Sequence, residues 1–249
     1  MSLPIERKDS RLMRAMFGEI SSRYDFVTRL FSYGMDRHWK RQGVDGSTLP
    51  ENAVVLDLAA GTGDFSRLVL ERRPRARVVA LDLTEPMLRV ARERGADNAI
   101  CGDAAALPFA DASFDCVFVG YGLRNFPVLA DALREIARVT RPSGRIVSLD
   151  FFLPPSSWFR RCYLAYLYAQ GAFWGLLIHG RSRTYTYIPE SLRSFTSIRG
   201  LSAMLARAGF HQIRTRSYIL GGIGLHWATR QGGTSANEPT LPHGAGFGS

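Results

Sequence analysis

One stretch, Val54-Val-Leu-Asp-Leu-Ala-Ala-Gly-Thr-Gly-Asp64, constrains the fold of this chain more than any other. A β-branched and aliphatic run reaches Asp57, Gly61 and Gly63 follow, and an amphipathic run begins at Phe65. This order predicts a strand, a tight glycine turn and the start of a helix, which is how α/β proteins present backbone N–H groups to a ligand. Glycine at 61 and 63 tolerates unusual backbone angles and lets a ligand approach the main chain.

The details of this stretch favour one kind of ligand. A dinucleotide fingerprint would have a third glycine where this chain has Ser66. Asp57, four positions before the first glycine, suits a ligand that carries an ammonium group, as S-adenosylmethionine does. A generic nucleotide site and a purely structural turn are the alternatives.

Strands and helices alternate after this stretch in the way that is typical of a doubly wound, mostly parallel α/β sheet. Asp82, 19 residues after Gly63, ends the second predicted strand, where a carboxylate can accept hydrogen bonds from both ribose hydroxyls or cap the next helix. Asp103 ends the third, where it can accept from an adenine amino group. We predict seven strands, listed by number: 54–57, 77–82, 98–103, 114–119, 145–150, 212–220 and 224–230.

The rest of the chain divides around this sheet. Residues 1–46 repeat apolar positions at helical spacing and predict an N-terminal helical cap over the nucleotide end of the sheet. Residues 47–230 form the main domain, with a helical insertion after the fifth strand, at about 151–200, acting as a lid over the substrate. Residues 231–249 are rich in Gly, Pro, Ser and Asn and predict a disordered tail.

Composition narrows the partners and the compartment. The net charge is +10, and Lys8 and Lys40 are the only lysines. The simplest interpretation is that these basic residues are solvated at the surface, and the next is that they attract an anionic membrane. Binding of nucleic acid comes last, because no nucleic-acid motif is present. The three cysteines have no CxxC spacing and residues 1–10 lack the apolar run of a signal peptide, so we expect reduced thiols in a cytoplasmic protein.

The insertion is uncharged and aromatic from Cys162 to Ile178, which favours a lid helix pair over a membrane span because Gln170, Gly171 and Gly175 interrupt it. Its aromatic residues suit either an apolar tunnel for a prenyl tail or plain core packing. They are Trp158, Phe159, Tyr163, Tyr166, Tyr168, Phe173 and Trp174. Arg160 and Arg161 beside them could meet lipid head groups, at the inner face of a membrane.

From about Phe17 to Arg230 the chain resembles the ubiquinone/menaquinone biosynthesis C-methyltransferase family. The glycine loop is shared by many enzymes, whereas Gly122-Leu-Arg-Asn125 together with the other matching stretches is specific to this family. Those stretches lie at 17–25, 34–41, 55–64, 106–109, 114–116, 122–125, 187–191 and 221–226.

The resemblance implies transfer of a methyl group from S-adenosylmethionine to a ring carbon of a polyprenylated quinol. It implies the following cofactor-binding residues: Asp57, Gly61, Thr62, Gly63, Asp82, Leu83, Asp103, Ala104 and Gly120. Relatives usually have serine at the position of Gly120. Two further departures are Ser143 in place of a glycine and the altered stretch 196–199. Together these departures leave open a second hypothesis, that the chain methylates another aromatic or polyketide-like molecule.

Carbon methylation needs an electron-rich ring carbon, so the protein has to stabilise a developing phenolate. Arg124 fits this role because its guanidinium stays charged, although a salt bridge at the sheet is the alternative. We expect water to take the proton that the quinol hydroxyl loses. We expect Asn125 to orient the ring or that water. His226 could be the base instead or an ordinary buried histidine. Tyr24 could reach the cofactor or pack the cap.

No histidine has a partner spacing that suggests a metal, and we expect none. A third hypothesis, from another class, is a cofactor-binding scaffold of a quinone-biosynthesis complex without turnover. The partners expected from these readings are a quinol or other aromatic substrate, contact with an anionic membrane, and a second copy in a homodimer. Nucleic acid is not among them.

Overall fold

The computed structural model describes Arg14, Gly18, residues 24–179 and residues 183–232, with the backbone alone at 24–27, 175, 177–179 and 183–186. The predicted tail beyond residue 232 and most of the predicted cap before residue 24 lie outside these residues. The helices are α1 (Tyr24–Phe31), α2 (Asp36–Gly46), α3 (Asp64–Arg72), α4 (Glu85–Glu93), α5 (Leu129–Val139), α6 (Ser157–His179), α7 (Arg183–Arg193) and α8 (Ile198–Arg207). The strands are β1 (Val54–Leu58), β2 (Arg77–Asp82), β3 (Ala99–Cys101), β4 (Phe114–Gly120), β5 (Thr140–Phe151), β6 (Phe210–Tyr218) and β7 (Ile223–Arg230).

The seven strands form one sheet in the order β3-β2-β1-β4-β5-β7-β6. The pairs from β3 to β5 are parallel, and β7 runs antiparallel to both β5 and β6. The strand order therefore reverses between β1 and β4, which places a crevice at their carboxyl ends. This confirms the predicted fold class, a doubly wound and mostly parallel seven-stranded α/β sheet.

Several strand bounds differ from the prediction, such as those of the sixth strand, which lies at 210–218 instead of 212–220. The differences in the third and fifth strands have a physical reason. The third strand is shorter than 98–103, because the chain turns at Asp103, which makes an isolated bridge with Ala106. The fifth begins at Thr140 rather than Arg145, since the Pro142-Ser-Gly144 run lies in a bulge and does not stop the strand. Its register with β4 shifts between Phe114 and Cys116, and Ser143 has a φ of 63°, as such an irregularity requires.

The described part of the cap belongs to the core on one face of the sheet. Phe31, Trp39 and Val44 are buried with Phe118 and Leu225 of the sheet in a single apolar cluster. The indole nitrogen of Trp227 donates to the Gly43 carbonyl oxygen over 3.0 Å and ties α2 to β7. The described part of the cap, from residue 28 onward, is thus packed on the sheet.

The insertion after β5 forms the helix pair α6 and α7, as predicted for 151–200. Tyr163 of α6 is 3 % exposed and its hydroxyl donates to the Gly222 carbonyl, while Tyr33 of the cap stacks on Tyr166 at 5.4 Å between ring centroids. Trp158 and Phe173 are 69 % and 60 % exposed, so the aromatic set does not share one interior surface. No helix among the described residues has both the length and the apolar character needed to cross a bilayer.

We predict that Phe31→Ala lowers the free energy of unfolding by about 3–5 kcal/mol, because it removes a fully buried ring from the cluster that joins cap and sheet. Urea unfolding followed by circular dichroism measures this. Met35→Ala, four residues on and 43 % exposed, is the control and should change stability by less than about 0.5 kcal/mol. Equal effects of the two substitutions would show that the cap is not part of the core.

Candidate active site

A cleft of about 700 Å³, open to solvent, lies at the carboxyl ends of β1, β2, β3 and β4. Predicted site residues supply much of its wall: Gly61, Asp82, Leu83, Asp103, Ala104, Gly120 and Asn125. Leu58, Met87 and Phe126 add apolar surface.

The glycine turn after β1 has the backbone geometry that its sequence requires. Gly61 and Gly63 have φ values of 55° and 80°, and Gly63 immediately precedes α3. A Cβ at position 63 would come within 3.1 Å of Ala91 Cβ, so glycine also permits close packing of α3 on α4. The turn and the helix start are confirmed.

Asp57 is buried at the end of β1 and holds the start of α3. Its Oδ2 accepts hydrogen bonds from the backbone N and the hydroxyl of Ser66 over 2.8 and 2.7 Å. Serine therefore stands at position 66 for a structural reason. Burial raises the pKa of Asp57 to about 7, although the bonds from Ser66 and the charge of Lys40 oppose that rise.

Asp82 joins the second strand to the glycine turn. Its Oδ2 accepts from the Gly61 backbone N and its Oδ1 from the Thr84 backbone N, both over 2.8 Å. Burial raises the pKa of this carboxyl in spite of those bonds. The carboxylate is thus fixed in the cleft wall beside Leu83, where both of the roles predicted for it, ribose acceptor and helix cap, are compatible with the geometry.

Asp103 and Ala104 lie at the far end of the cleft. Asp103 Oδ1 accepts from the Ala105 backbone N over 2.9 Å and shapes the turn. The segment that follows is held by α5, since Arg138 donates to the Leu107 and Phe109 carbonyls and Glu135 accepts from the Leu107 backbone N. Sequence analysis missed this support, because its members are about 30 residues apart.

Gly120, which departs from the family pattern, has a physical reason. A Cβ at this position would come within 2.9 Å of Cε2 of Phe65, a ring that is 2 % exposed. Phe65 therefore occupies the space that a side chain at 120 would need. Thr62 is buried and lines a small cavity that adjoins the cleft. Gly120 lines the same cavity.

Lys40 of the cap reaches the same cavity, and sequence analysis did not identify it. Its Nζ donates to Asp36 Oδ2 over 2.9 Å and to Asp64 Oδ2 over 2.7 Å, and the side chain is 5 % exposed. Burial alone would lower the pKa of Lys40, but the two carboxylates outweigh it and the pKa is raised. The i,i+4 spacing of Asp36 and Lys40 beside the buried Trp39 was the available signal.

Arg124 lies on a single 3₁₀ turn after β4 and pairs with a residue that sequence analysis overlooked, Asp150 at the end of β5. Its Nη1 donates to Asp150 Oδ1 over 2.6 Å and to the Tyr121 carbonyl over 2.7 Å. Asp150 Oδ2 accepts from the Arg124 backbone N. The guanidinium also lies 5.2 Å from the Phe151 ring centroid. A salt bridge at the sheet, one of the two predicted readings of Arg124, is therefore present.

Asn125 connects the cleft to the lid. Its Nδ2 donates to the Tyr121 carbonyl over 3.1 Å, and its Oδ1 accepts from the hydroxyl of Tyr187 over 3.0 Å. Tyr187 belongs to α7, and burial raises the pKa of its hydroxyl to about 12, so it stays a donor. These bonds fix the amide orientation of Asn125 in the cleft wall.

The other two predicted catalytic residues are not brought to the cleft by any described contact. His226 of β7 is 1 % exposed, with Nε2 3.1 Å from the Ile198 carbonyl and its ring against Phe152. Burial lowers its pKa to about 4. The side chain of Tyr24 lies outside the described residues. Among the described residues no cluster of His, Cys, Asp and Glu could hold a metal ion.

Comparison with known proteins agrees with this geometry. Residues 5–230 match the model of the ubiE/COQ5 methyltransferase family. The chain belongs to this family. A demethylmenaquinone methyltransferase of Thermus thermophilus is 40 % identical over 220 residues, covering 86 % of this chain and all of that protein. A ubiquinone/menaquinone biosynthesis C-methyltransferase UbiE of Pseudomonas fluorescens is 36 % identical over 89 % of this chain and 90 % of that protein.

Solved structures show the same fold at lower identity. A SAM-dependent methyltransferase of Thermotoga maritima superposes with a TM-score of 0.63 at 20 % identity, covering 88 % of this chain and all of the other. One from Aquifex aeolicus gives 0.57 at 17 % identity, covering 82 % and 97 %. The sheet order and the crevice are therefore those of a methyltransferase fold, and this family member is a methyltransferase.

We predict that Gly120→Ser lowers the free energy of unfolding by about 1–3 kcal/mol, because its Cβ would clash with the Phe65 ring. Adding Phe65→Leu should recover part of that loss. Urea unfolding of the two single variants and the double variant gives the coupling energy, expected at about 1 kcal/mol or more. Effects that add within about 0.5 kcal/mol would contradict this packing account.

We also predict that affinity for S-adenosylmethionine, the expected cofactor, falls as the pH is lowered from 8 to 6. Burial places the folded-state pKa of Asp57 near 7, so the carboxylate that we expect to face the cationic ligand is protonated below that pH. The loss should approach about tenfold over this range. Calorimetric titration measures it, and Asp57→Asn should flatten the profile. A flat profile in the unmodified protein would refute the assignment.

Proposed function

We propose that this protein transfers a methyl group from S-adenosylmethionine to a ring carbon of a polyprenylated quinol in quinone biosynthesis. The activities for which the Thermus and Pseudomonas relatives are named support the substrate class. The observation that carries the proposal is the buried Arg124–Asp150 pair on the turn beside the cleft, a fixed cationic donor where a phenolate would develop. The cytoplasmic location and a homodimer remain predictions.

The residues of the cleft fit the cofactor. Asp82 would accept from the ribose hydroxyls, and Asp103 with Ala104 would meet the adenine at the outer end. The amino-acid end would lie at Gly61, Thr62 and Gly120, near the carboxylates of Asp57 and Asp64. When bound, S-adenosylmethionine supplies an electrophilic methyl group.

Arg124 would stabilise the negative charge on the quinol oxygen. Its hydrogen bonds to Asp150 and to the Tyr121 carbonyl hold the guanidinium before substrate arrives, so little reorganisation is needed in the transition state. A guanidinium does not give up its proton near neutral pH, so Arg124 is not the base. We assign the hydroxyl proton, whose loss gives the phenolate, to water near Asn125, whose amide is already oriented by Tyr187. The ring proton that leaves after methyl transfer is also taken up by water.

His226 is the weaker choice of base. Its pKa near 4 leaves the imidazole neutral at physiological pH but makes it a poor proton acceptor. Its Nε2 lies at the Ile198 carbonyl, so a neutral ring that donates there satisfies the geometry. We therefore give His226 a packing role against Phe152.

A second candidate function is methylation of another aromatic or polyketide-like molecule. Two local features favour it, Gly120 and the unusual 196–199 stretch before α8. Ser197 in that stretch caps α8 by accepting from the Gly200 backbone N, which gives the stretch a structural purpose as well. Membership of a methyltransferase family argues against the third hypothesis, a scaffold without turnover. The same assay separates the two remaining candidates.

The test is methyl transfer from labelled S-adenosylmethionine to a short-tail demethylmenaquinol, with and without reductant. We expect label on the ring only under reducing conditions, because the quinone form lacks the electron-rich ring. Transfer to another aromatic acceptor, with none to either a naphthoquinol or a benzoquinol, would establish the second candidate. Tight cofactor binding with no transfer to any of these acceptors would contradict both candidates.

Arg124→Met should lower kcat by about 10²–10³-fold, because a preorganised donor to the oxyanion is lost. Cofactor affinity should stay within about twofold, since Arg124 is not among the residues that line the cofactor cleft. Removing Arg124 alone leaves Asp150 buried without its cation, so Arg124→Met with Asp150→Asn serves as the matched variant that keeps the fold. Unchanged turnover in both variants would remove Arg124 from the chemistry.

A further inference from the structure

The outward face of α6 is an apolar surface that nothing in the described structure covers. Residues at helical spacing along this helix are all exposed and all apolar or small, and we call them the α6 strip: Trp158, Cys162, Ala165, Ala169, Ala172, Phe173 and Leu176. The strip runs from residue 158 to residue 176, a length of about 27 Å along the helix. The opposite face, with Tyr163 and Leu167, is buried against the core. A helix that is apolar on both faces is normally covered on both.

Exposed apolar bulk is concentrated here. Trp158, Phe173 and Leu176 are 69, 60 and 67 % exposed, and an apolar surface this continuous marks a site of interaction. Tyr33 and Met35 at the α1–α2 turn are 49 and 43 % exposed and extend it, since Tyr33 stacks on Tyr166 of α6.

The charge around the strip identifies what covers it. From residue 151 to residue 189 the sequence has no aspartate or glutamate and four arginines, at 160, 161, 181 and 183. Arg161 is exposed at the strip's first turn, and Arg160 donates to the Pro154 and Pro155 carbonyls rather than to a carboxylate. Both ends of α6 are therefore basic in sequence.

This distribution disfavours a second copy of the chain on the strip. Two such helices packed against each other, in either direction, would bring basic ends together without an acidic partner. An anionic lipid surface provides the opposite charge along the whole length. A helix with aromatic and aliphatic residues on one side and arginines at its border is the kind that lies in the plane of a bilayer interface.

We propose that the α6 strip is the docking surface for an anionic lipid bilayer, with α6 lying parallel to the membrane plane. This deepens the proposed function, on which it rests for its purpose, since a polyprenylated quinol resides in the bilayer. Tyr187 of α7, the second helix of this pair, donates a hydrogen bond to Asn125. The helix pair that would dock on the bilayer is therefore in direct contact with the candidate active site.

Vesicle sedimentation with phosphatidylcholine alone and with added phosphatidylglycerol tests this without any quinol. We expect binding only to the anionic vesicles, weakened by added salt. Leu176→Ser should weaken it roughly tenfold, because one aliphatic side chain no longer leaves water. Leu220→Ser is the matched control, since Leu220 is 73 % exposed but lies on the turn between β6 and β7. Equal effects of the two substitutions, or no vesicle binding, would overturn the proposal.

Cysteine chemistry provides a second readout. Cys101 and Cys162 are exposed and Cys116 is buried, so Cys101→Ser leaves one accessible thiol on the strip and Cys162→Ser leaves one away from it. A polarity-sensitive fluorophore at Cys162 should shift to the blue with anionic vesicles, and one at Cys101 should not. A blue shift at Cys162 that grows with protein concentration in the absence of lipid would show that a second copy covers the strip instead.

The outcomes also separate this inference from the proposed function. Methylation of the short-tail quinol in solution, without any binding to anionic vesicles, would overturn the proposed docking surface and leave the proposed reaction standing. Vesicle binding that depends on Leu176, without methylation of any quinol, would overturn the proposed reaction alone. Leu176→Ser should leave transfer to the short-tail quinol in solution unchanged.

Discussion

Parallel pairing of β1 with β4 is the constraint on which the site depends. Leu58 pairs with Val119 at the ends of these strands, and the chain leaves them in different directions, into the glycine turn and into the Tyr121–Asn125 turn. The crevice therefore lies between the amino end of α3 on one side and the turn that carries Arg124 on the other. β2 and β5, the outer neighbours of this pair, add Asp82 and Asp150 at the same edge. Carboxylates and one guanidinium converge at this edge because the strands run in the same direction.

Burying so much charge at one edge needs compensation, and the protein provides it from distant parts of the chain. Lys40 of the cap forms ion pairs with both Asp64 and Asp36, and Arg124 pairs with Asp150. Asp57 is held by hydrogen bonds from Ser66, which oppose the rise in its pKa that burial causes. The cap therefore contributes charge balance beside the glycine turn in addition to apolar packing. Pairs of this kind add little net stability, but losing one partner is costly.

Sequence alone predicted the parts of the site that follow from local pattern. Asp82 and Asp103 were found because a carboxylate directly after a parallel strand has to lie at the crevice. Lys40, Asp150 and Tyr187 were not assigned, because their partners are 24, 26 and 62 residues away and only the folded chain brings them together. His226 lies in a stretch that matches the family, but alternate residues of β7 point to opposite faces of the sheet, and this determines which residues His226 contacts. Its neighbours Leu225 and Trp227 face the cap, whereas His226 contacts Ile198 and Phe152.

The contact between Phe65 and position 120 has a consequence for how this sequence can change over time. A ring 2.9 Å from the site of a new Cβ makes the fitness of a residue at 120 depend on what stands at 65. Serine, the residue that relatives usually carry at 120, would cost stability beside Phe65 and would cost less beside a smaller residue. A replacement of Gly120 is therefore tolerated more easily once position 65 has become smaller, so the order of the two substitutions matters as well as their identity.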